Sequence, residues 1–166
     1  MSTSPEPSPG RTTDLLVAIG YILGVSYPLL ALSAGVRAIY QAFVRSDLAP
    51  LSIALSGLAA LIYLAAAVAF FTKRRWAWRV GVAALAFETV MVLAIGALSY
   101  LWPDVVAHTV WAHFGADYGY FPLIQPLLGL TWLIWPETLR RFGFSVEAGA
   151  GPGGALRAAG RALWAG

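Results

Sequence analysis

The sequence predicts an all-α integral membrane protein, a bundle of four transmembrane helices with both termini on the cytoplasmic side. Three observations predict it. Four long apolar segments follow one another, the connectors between them carry their cations on alternate sides, and the composition is 59% hydrophobic against 11% charged. With a mean hydropathy of +0.71, this composition belongs to lipid, not to the usual mix of soluble domains. Crossing about 30 Å of hydrocarbon takes roughly 20 helical residues, so 166 residues hold four crossings and leave no room for a separate soluble domain.

Residues Met1 to Thr13 are rich in Ser, Thr and Pro, and Pro5, Pro7 and Pro9 prevent regular hydrogen bonding. The expectation is a disordered tail over residues 1–13. The apolar segment behind it is too long for a signal peptide and lacks a small-residue cleavage site, so the tail is expected to stay attached.

The four-span domain is expected over residues 14–136. Its first span, about residues 15–39, is uncharged until Arg37, with Pro28 near its middle and Gly20 and Gly24 four apart. Proline removes a backbone donor and predicts a kink near Leu23 and Gly24. The glycine pair either admits a neighbouring helix closely or is a chance pairing in a Gly- and Ala-rich helix.

The second span, about residues 49–71, carries a small-residue stripe of Ser52, Ser56 and Ala60 suited to tight packing. It ends at Lys73-Arg74-Arg75-Trp76-Ala77-Trp78-Arg79, whose cations and indole rings suit a cytoplasmic interfacial turn. The third span, about residues 80–101, contains Glu88 and ends at Tyr100, Trp102 and Pro103. The fourth, about residues 118–135, is broken by Pro122 and Pro126 and closed by Trp132, Trp135 and Pro136. At about 1.5 Å per residue it barely crosses, and a re-entrant element is the alternative. Residues 137–166 form a basic, Gly-rich cytoplasmic tail, in which Ala155 to Trp164 either makes a short interfacial helix or stays unstructured.

Orientation follows from the cations. Arg11, Lys73, Arg74, Arg75, Arg79, Arg140, Arg141, Arg157 and Arg161 fall on one side of a four-span chain, and only Arg37 and Arg45 on the other. That asymmetry puts both termini in the cytoplasm. A net charge of +3 then reflects helix flanks, and no nucleic-acid partner is expected. Ten arginines against one lysine, with abundant Ala, Gly and Pro, point to a GC-rich bacterial genome and hence to a bacterial cytoplasmic membrane.

Glu88 is the single acid well inside an apolar span. An ionised carboxylate there costs several kcal/mol, so it should face the bundle, pair with a donor or stay protonated. Tyr63, and Tyr27 or Tyr21, reach similar depths and are its expected partners, with Thr89 adjacent; Gln125 of the broken fourth helix is a second polar candidate. Two uses compete: a proton or cation site, or a protonated acid locking two helices or binding a helix of another subunit.

The outer loop, residues 102–120, gathers Asp104, His108, His113 and Asp117 among aromatics, with no Lys or Arg. Asp104 is the expected cap of a short helix, in which Asp104 with His108, and His113 with Asp117, stand at i,i+4. The two histidines are five apart, on nearly opposite helical faces, so metal binding would need the loop to fold back. An interfacial helix with merely polar histidines is the alternative. Gly115 and Gly119 permit a sharp reversal before the last span, where tyrosines either line a small pocket or simply anchor the chain. No serine lies in a nucleophile elbow, no phosphate loop is present, and cysteine is absent, which excludes disulfides and thiolate chemistry. No cofactor is expected.

The run from Lys73 through Trp102, followed by His108-Thr109-Val110-Trp111 and Tyr118-Gly119-Tyr120-Phe121-Pro122-Leu123, resembles small four-helix integral membrane proteins of high-GC bacteria. The resemblance covers about residues 12–143 and implies membrane location and fold, with no activity and no functional residues. The leading expectation is a non-enzymatic accessory or assembly subunit, with a membrane protein partner or further copies of itself. A small oligomeric transporter or channel using Glu88 is the alternative, and third stands an enzyme at the outer membrane face using the His and Asp residues of the loop.

Overall fold

Three apolar helices carry the computed structural model, which describes residues 9–45, 48–146 and 152–164. They are α1 (Pro9–Val44), α2 (Pro50–Phe71) and α3 (Arg75–Leu101). Over Asp14–Val44, Pro50–Phe71 and Arg75–Leu101 each is long and apolar enough to cross a membrane. Beyond them come α4 (Pro103–Val106), a tight 3₁₀ turn Ala112–Tyr118, α5 (Phe121–Leu133), α6 (Pro136–Arg141) and α7 (Pro152–Trp164). No strand occurs among the described residues.

Specific pairings fix how the helices run. Gly24 lies against Phe70 and Phe71 while Gly35 lies against Ala60, so α1 and α2 are antiparallel. Trp132 Nε1 donates to the Leu16 carbonyl (2.8 Å) and Gln125 Nε2 to Ser26 Oγ (2.9 Å), which sets α5 antiparallel to α1. Against α3, Gly129 meets Leu85 and Leu133 meets Gly81, again antiparallel. The main packing runs from α1 to α2, α3, α5 and back to α1, and Tyr27–Glu88 and Phe70–Trp132 reach across the middle of this ring. The core inside it is built from Leu23, Tyr27, Tyr63, Phe70, Leu85 and Val92.

Several elements differ from the sequence expectation. Pro9–Thr13 is already helical where a disordered tail was expected, because proline suits the first turn of a helix; residues 1–8 lie outside the described residues. The first helix continues unbroken through Pro28 and on to Val44. The third begins at Arg75, not near Val80, so most of the basic turn is helix. Its Trp78 is fully buried against the protein, and donates Nε1 to the Leu133 carbonyl (2.9 Å). Of the two rings, only Trp76 is exposed.

The fourth segment departs most. In place of a span over about residues 118–135 the helix is Phe121–Leu133, 13 residues or about 20 Å long. It is interrupted before Pro136 starts α6. The chain from Phe114 to Gly143 still runs along most of α3: Phe114 lies over Gly96 in the last part of that helix, while Gly143, beyond α6, accepts from Arg75 Nη2 (2.6 Å) at its start. Of the tail, residues 147–151, including part of the expected glycine linker, lie outside the described residues, and Pro152–Gly154 opens α7.

The glycine pair of α1 receives side chains rather than a backbone. A Cβ on Gly20 would stand 2.5 Å from Trp132 Cζ2, and one on Gly24 3.3 Å from Phe71 Cζ. In the second helix Ser52, Ser56 and Ala59 are buried, with Ala60 at the edge of that stripe. Gly96 makes the same kind of room in α3, where an added Cβ would stand 2.5 Å from Phe114 Cδ1. We expect Gly96→Val to destabilise the fold by about 1–3 kcal/mol, the usual cost of overpacking. Unfolding in mixed micelles measures this, and an unchanged midpoint would mean that Phe114 does not seat there.

Candidate functional site

The most polar buried region of the bundle centres on one turn of α1. Ser26 and Tyr27 stand just before Pro28 and face different helices: Ser26 Oγ accepts from Gln125 Nε2 of α5, and the Tyr27 hydroxyl donates to Glu88 Oε2 of α3 at 3.3 Å. Ser26 Oγ in turn donates to the Leu23 carbonyl at 2.9 Å. This one turn therefore ties two helices to α1 through side chains. Interhelical bonds of this kind are the polar glue of helices in lipid.

Glu88 and Tyr27 are both wholly inaccessible, and Tyr63 is 1% exposed. The Tyr27 and Tyr63 rings lie 6.2 Å apart, and Tyr27 stacks on Phe70 at 5.4 Å. Tyr63 is near enough to Glu88 for the two to interact electrostatically, and the Trp111 indole faces its hydroxyl. Among the described residues neither that hydroxyl nor Trp111 Nε1 has a formed hydrogen bond, and Glu88 Oε1 and Gln125 Oε1 are likewise buried and unpaired. Such orphaned groups are uncommon inside proteins.

Of the partners expected for Glu88, the structure thus brings Tyr27 into contact and Tyr63 nearby. Tyr21 is two-thirds exposed on another face of α1. Thr89 donates to the Leu85 carbonyl within its own helix (2.8 Å). Gln125 is buried, but its amide is spent on Ser26.

The outer loop is no interfacial helix. After the four residues of α4 it folds back over the end of the bundle, burying Val106, Thr109, Val110, Trp111 and Ala112. Its anchors are a bond from His113 N to Ser99 Oγ (2.9 Å) and one from Gln41 Nε2 to the His108 carbonyl (2.9 Å). The reversal uses consecutive left-handed residues, His113 (φ 49°), Phe114 (φ 61°) and Gly115 (φ 81°). The first two are not glycine, and each costs on the order of 1 kcal/mol. Phe114 seated over Gly96 and His113 set edge-on to Tyr100 at 5.0 Å hold them there.

This geometry separates the polar loop residues. Asp104 makes no cap bond, and the helix is capped at Trp102, because Pro103 takes its first position. His113 does not pair with Asp117; instead Arg37 reaches Asp117 (3.3 Å) and the Tyr118 hydroxyl (3.4 Å) from α1. His108 contributes its carbonyl to Gln41. Among the described residues, no three of His, Asp and Glu gather as a metal site would require.

Sequence reasoning missed Trp111 and Ser26. Trp111 sits in a run of four consecutive buried residues, Thr109–Ala112, where no period marks an inward face. Ser26 had a signal in its place two residues before Pro28 and next to Tyr27. Comparison with known protein families, curated proteins and solved structures finds no match for the chain.

Proposed function

We propose that this chain is a multi-pass protein of a bacterial cytoplasmic membrane, with four crossings and both termini in the cytoplasm. In this reading it serves as a non-enzymatic accessory or assembly subunit of a membrane complex. The observation that carries it is the use made of the buried polar groups: Glu88–Tyr27, Gln125–Ser26, Trp132–Leu16 and Trp78–Leu133 all join helix to helix. Large apolar side chains meanwhile cover the outside, among them Ile22, Leu29, Leu32 and Ile39 along α1. That surface suits lipid and partner helices, which bind by packing.

The antiparallel path of α5 and α6 beside α3 supports a fourth crossing, shorter than the others and completed across the Pro136 break. The cations support the orientation. Lys73, Arg74, Arg75, Arg140 and Arg141 lie at the end where Arg75 meets Gly143, and Arg37 lies at the opposite end with Asp117. Bacterial origin and a four-helix architecture are also what the resemblance to small membrane proteins of high-GC bacteria implies.

A second reading, a small oligomeric transporter or channel, draws support from the orphaned Glu88 Oε1 and Tyr63 hydroxyl, which have bonding capacity to offer a proton or cation. An enzyme at the outer face has less support, since Asp117 and His113 are engaged apart from each other.

Native mass spectrometry of tagged protein, extracted in mild detergent from its host, separates the first two readings. A stoichiometric partner subunit is expected. A homo-oligomer alone that conducts protons or cations in proteoliposomes, and stops doing so as Glu88→Gln, would replace the accessory reading with transport.

A further inference from the structure

One cleft shares Phe70 with the cluster around Tyr27 but is not lined by Glu88. It opens at the basic end between α1, the end of α2 and the α5–α6 junction, with a volume of about 530 Å³. Ligand sites commonly span about 300–1,000 Å³. Its floor is the indole of Trp132, held by the bond from Nε1 to the Leu16 carbonyl and admitted by Gly20. Tyr21 and Phe71, both largely exposed, form its apolar walls. Lys73 and Arg141 stand at its rim.

These two cations differ from Arg75 and Arg140. Arg75 is spent on the Gly143 carbonyl and Arg140 lies 4.0 Å from Glu137, whereas Lys73 and Arg141 have no hydrogen bond or ion pair with any described residue. Lys73 stands two residues past the end of α2 and Arg141 is the last residue of α6, at the end of the bundle where headgroups begin in a chain that crosses the membrane. An aromatic slot leading inward from two free cations has the polarity of one amphiphile: an anionic head outside and a hydrocarbon chain within.

We propose that this cleft holds one anionic phospholipid of the leaflet at the basic face, its phosphodiester between Lys73 and Arg141 and the upper part of one acyl chain against Trp132, Phe71 and Tyr21. Basic pockets between membrane helices recognise anionic headgroups in this way. The aromatic walls make the slot selective for a lipid over a free phosphate, which has nothing to bury there. The proposal requires the chain to be in a membrane but not the accessory role, and a site for lipid would stand whether or not a partner subunit is found.

Purified protein in a neutral detergent, titrated with phosphatidylglycerol or phosphatidylcholine and read by native mass spectrometry, tests it. One phosphatidylglycerol per chain is expected, with phosphatidylcholine bound more weakly. The double variant Lys73→Gln/Arg141→Gln should weaken phosphatidylglycerol at least about tenfold, since each cation near a headgroup contributes on the order of tenfold or somewhat less. Arg157→Gln/Arg161→Gln, which removes two exposed cations of α7, should leave it unchanged. Equal losses in both double variants, equal binding of the two lipids, or the same occupancy blocked by inorganic phosphate would each overturn the proposal. Gel filtration of each variant as a single peak excludes misfolding, and Trp132→Phe, which keeps an aromatic floor, provides a second folded probe expected to weaken binding less than the loss of both cations.

Discussion

Replacing Trp111 by alanine is expected to destabilise the protein by about 3–5 kcal/mol, the range for truncating a large buried aromatic side chain. The ring is wholly inaccessible and sits in the loop that folds over the bundle end. Its loss removes the contact surface that joins Thr109–Ala112 to the core below. The two left-handed residues that follow, His113 and Phe114, then keep their conformational cost with less packing to offset it. Trp111 Nε1 makes no formed hydrogen bond with any described residue, so its indole contributes mainly through packing. Trp111→Phe should therefore recover most of the loss. Equilibrium unfolding in mixed micelles gives both values, and limited proteolysis gives the location, with new cleavage expected between Ala107 and Gly119. An alanine variant within about 1 kcal/mol of the parent, far below the cost of a core truncation, would mean that the loop does not close over the bundle.

The same loop marks where sequence reasoning reached its limit. Gly115 and Gly119 signalled a reversal, but the fold-back depends on positive φ at His113 and Phe114, residue types that give no such signal. Helical spacing therefore suggested pairs, Asp104 with His108 and His113 with Asp117, that the folded chain does not make. By contrast, the second and third helices were legible within a few residues, because nothing but a membrane-length helix explains apolar runs such as Leu51 to Phe71.

Facing was harder to read than location. The buried stripe of α1 is Leu16, Leu23, Tyr27 and Ala34, yet the opposite side carries Ile19, Ile22, Leu29 and Leu32, which are exposed and equally apolar. In water the polar face of a helix reveals its inward side. Where the outside is lipid, that contrast is erased. Depth arguments accordingly brought Tyr21, Tyr27 and Tyr63 all to the level of Glu88, and only the rotation of α1 about its axis selects Tyr27. What the sequence did contain was the cost of an acid in an apolar span, and Glu88 does face inward, fully buried. The fourth helix was legible only in part: Pro122 and Pro136 do open α5 and α6, but Pro126, expected to break the segment, lies inside the continuous helix Phe121–Leu133.

Glu88 gives the second large effect, and the form of the substitution decides its size. Glu88→Ala removes the acceptor of the Tyr27 hydroxyl and opens a space beside Tyr27 in the core, so a loss of about 2–5 kcal/mol is expected. Glu88→Gln keeps the volume and an oxygen that still accepts from Tyr27, and should cost less than about 1 kcal/mol. The 3.3 Å separation is long for a bond from a hydroxyl, which places its strength toward the low end. A double-mutant cycle between Tyr27→Phe and Glu88→Ala, the variant that removes the acceptor, should return a coupling near 0.6 kcal/mol, about the average for interhelical bonds in lipid, and not above about 1.7 kcal/mol. Under the accessory reading the glutamine variant also keeps its partner, because an amide holds the helices as an acid does. A glutamine variant that is as stable as the parent yet has lost the protein's biological effect would show that the carboxyl group acts through its proton or charge and not through packing. The orphaned Oε1, still free to bond when Oε2 is held by Tyr27, is the atom where such an action would begin.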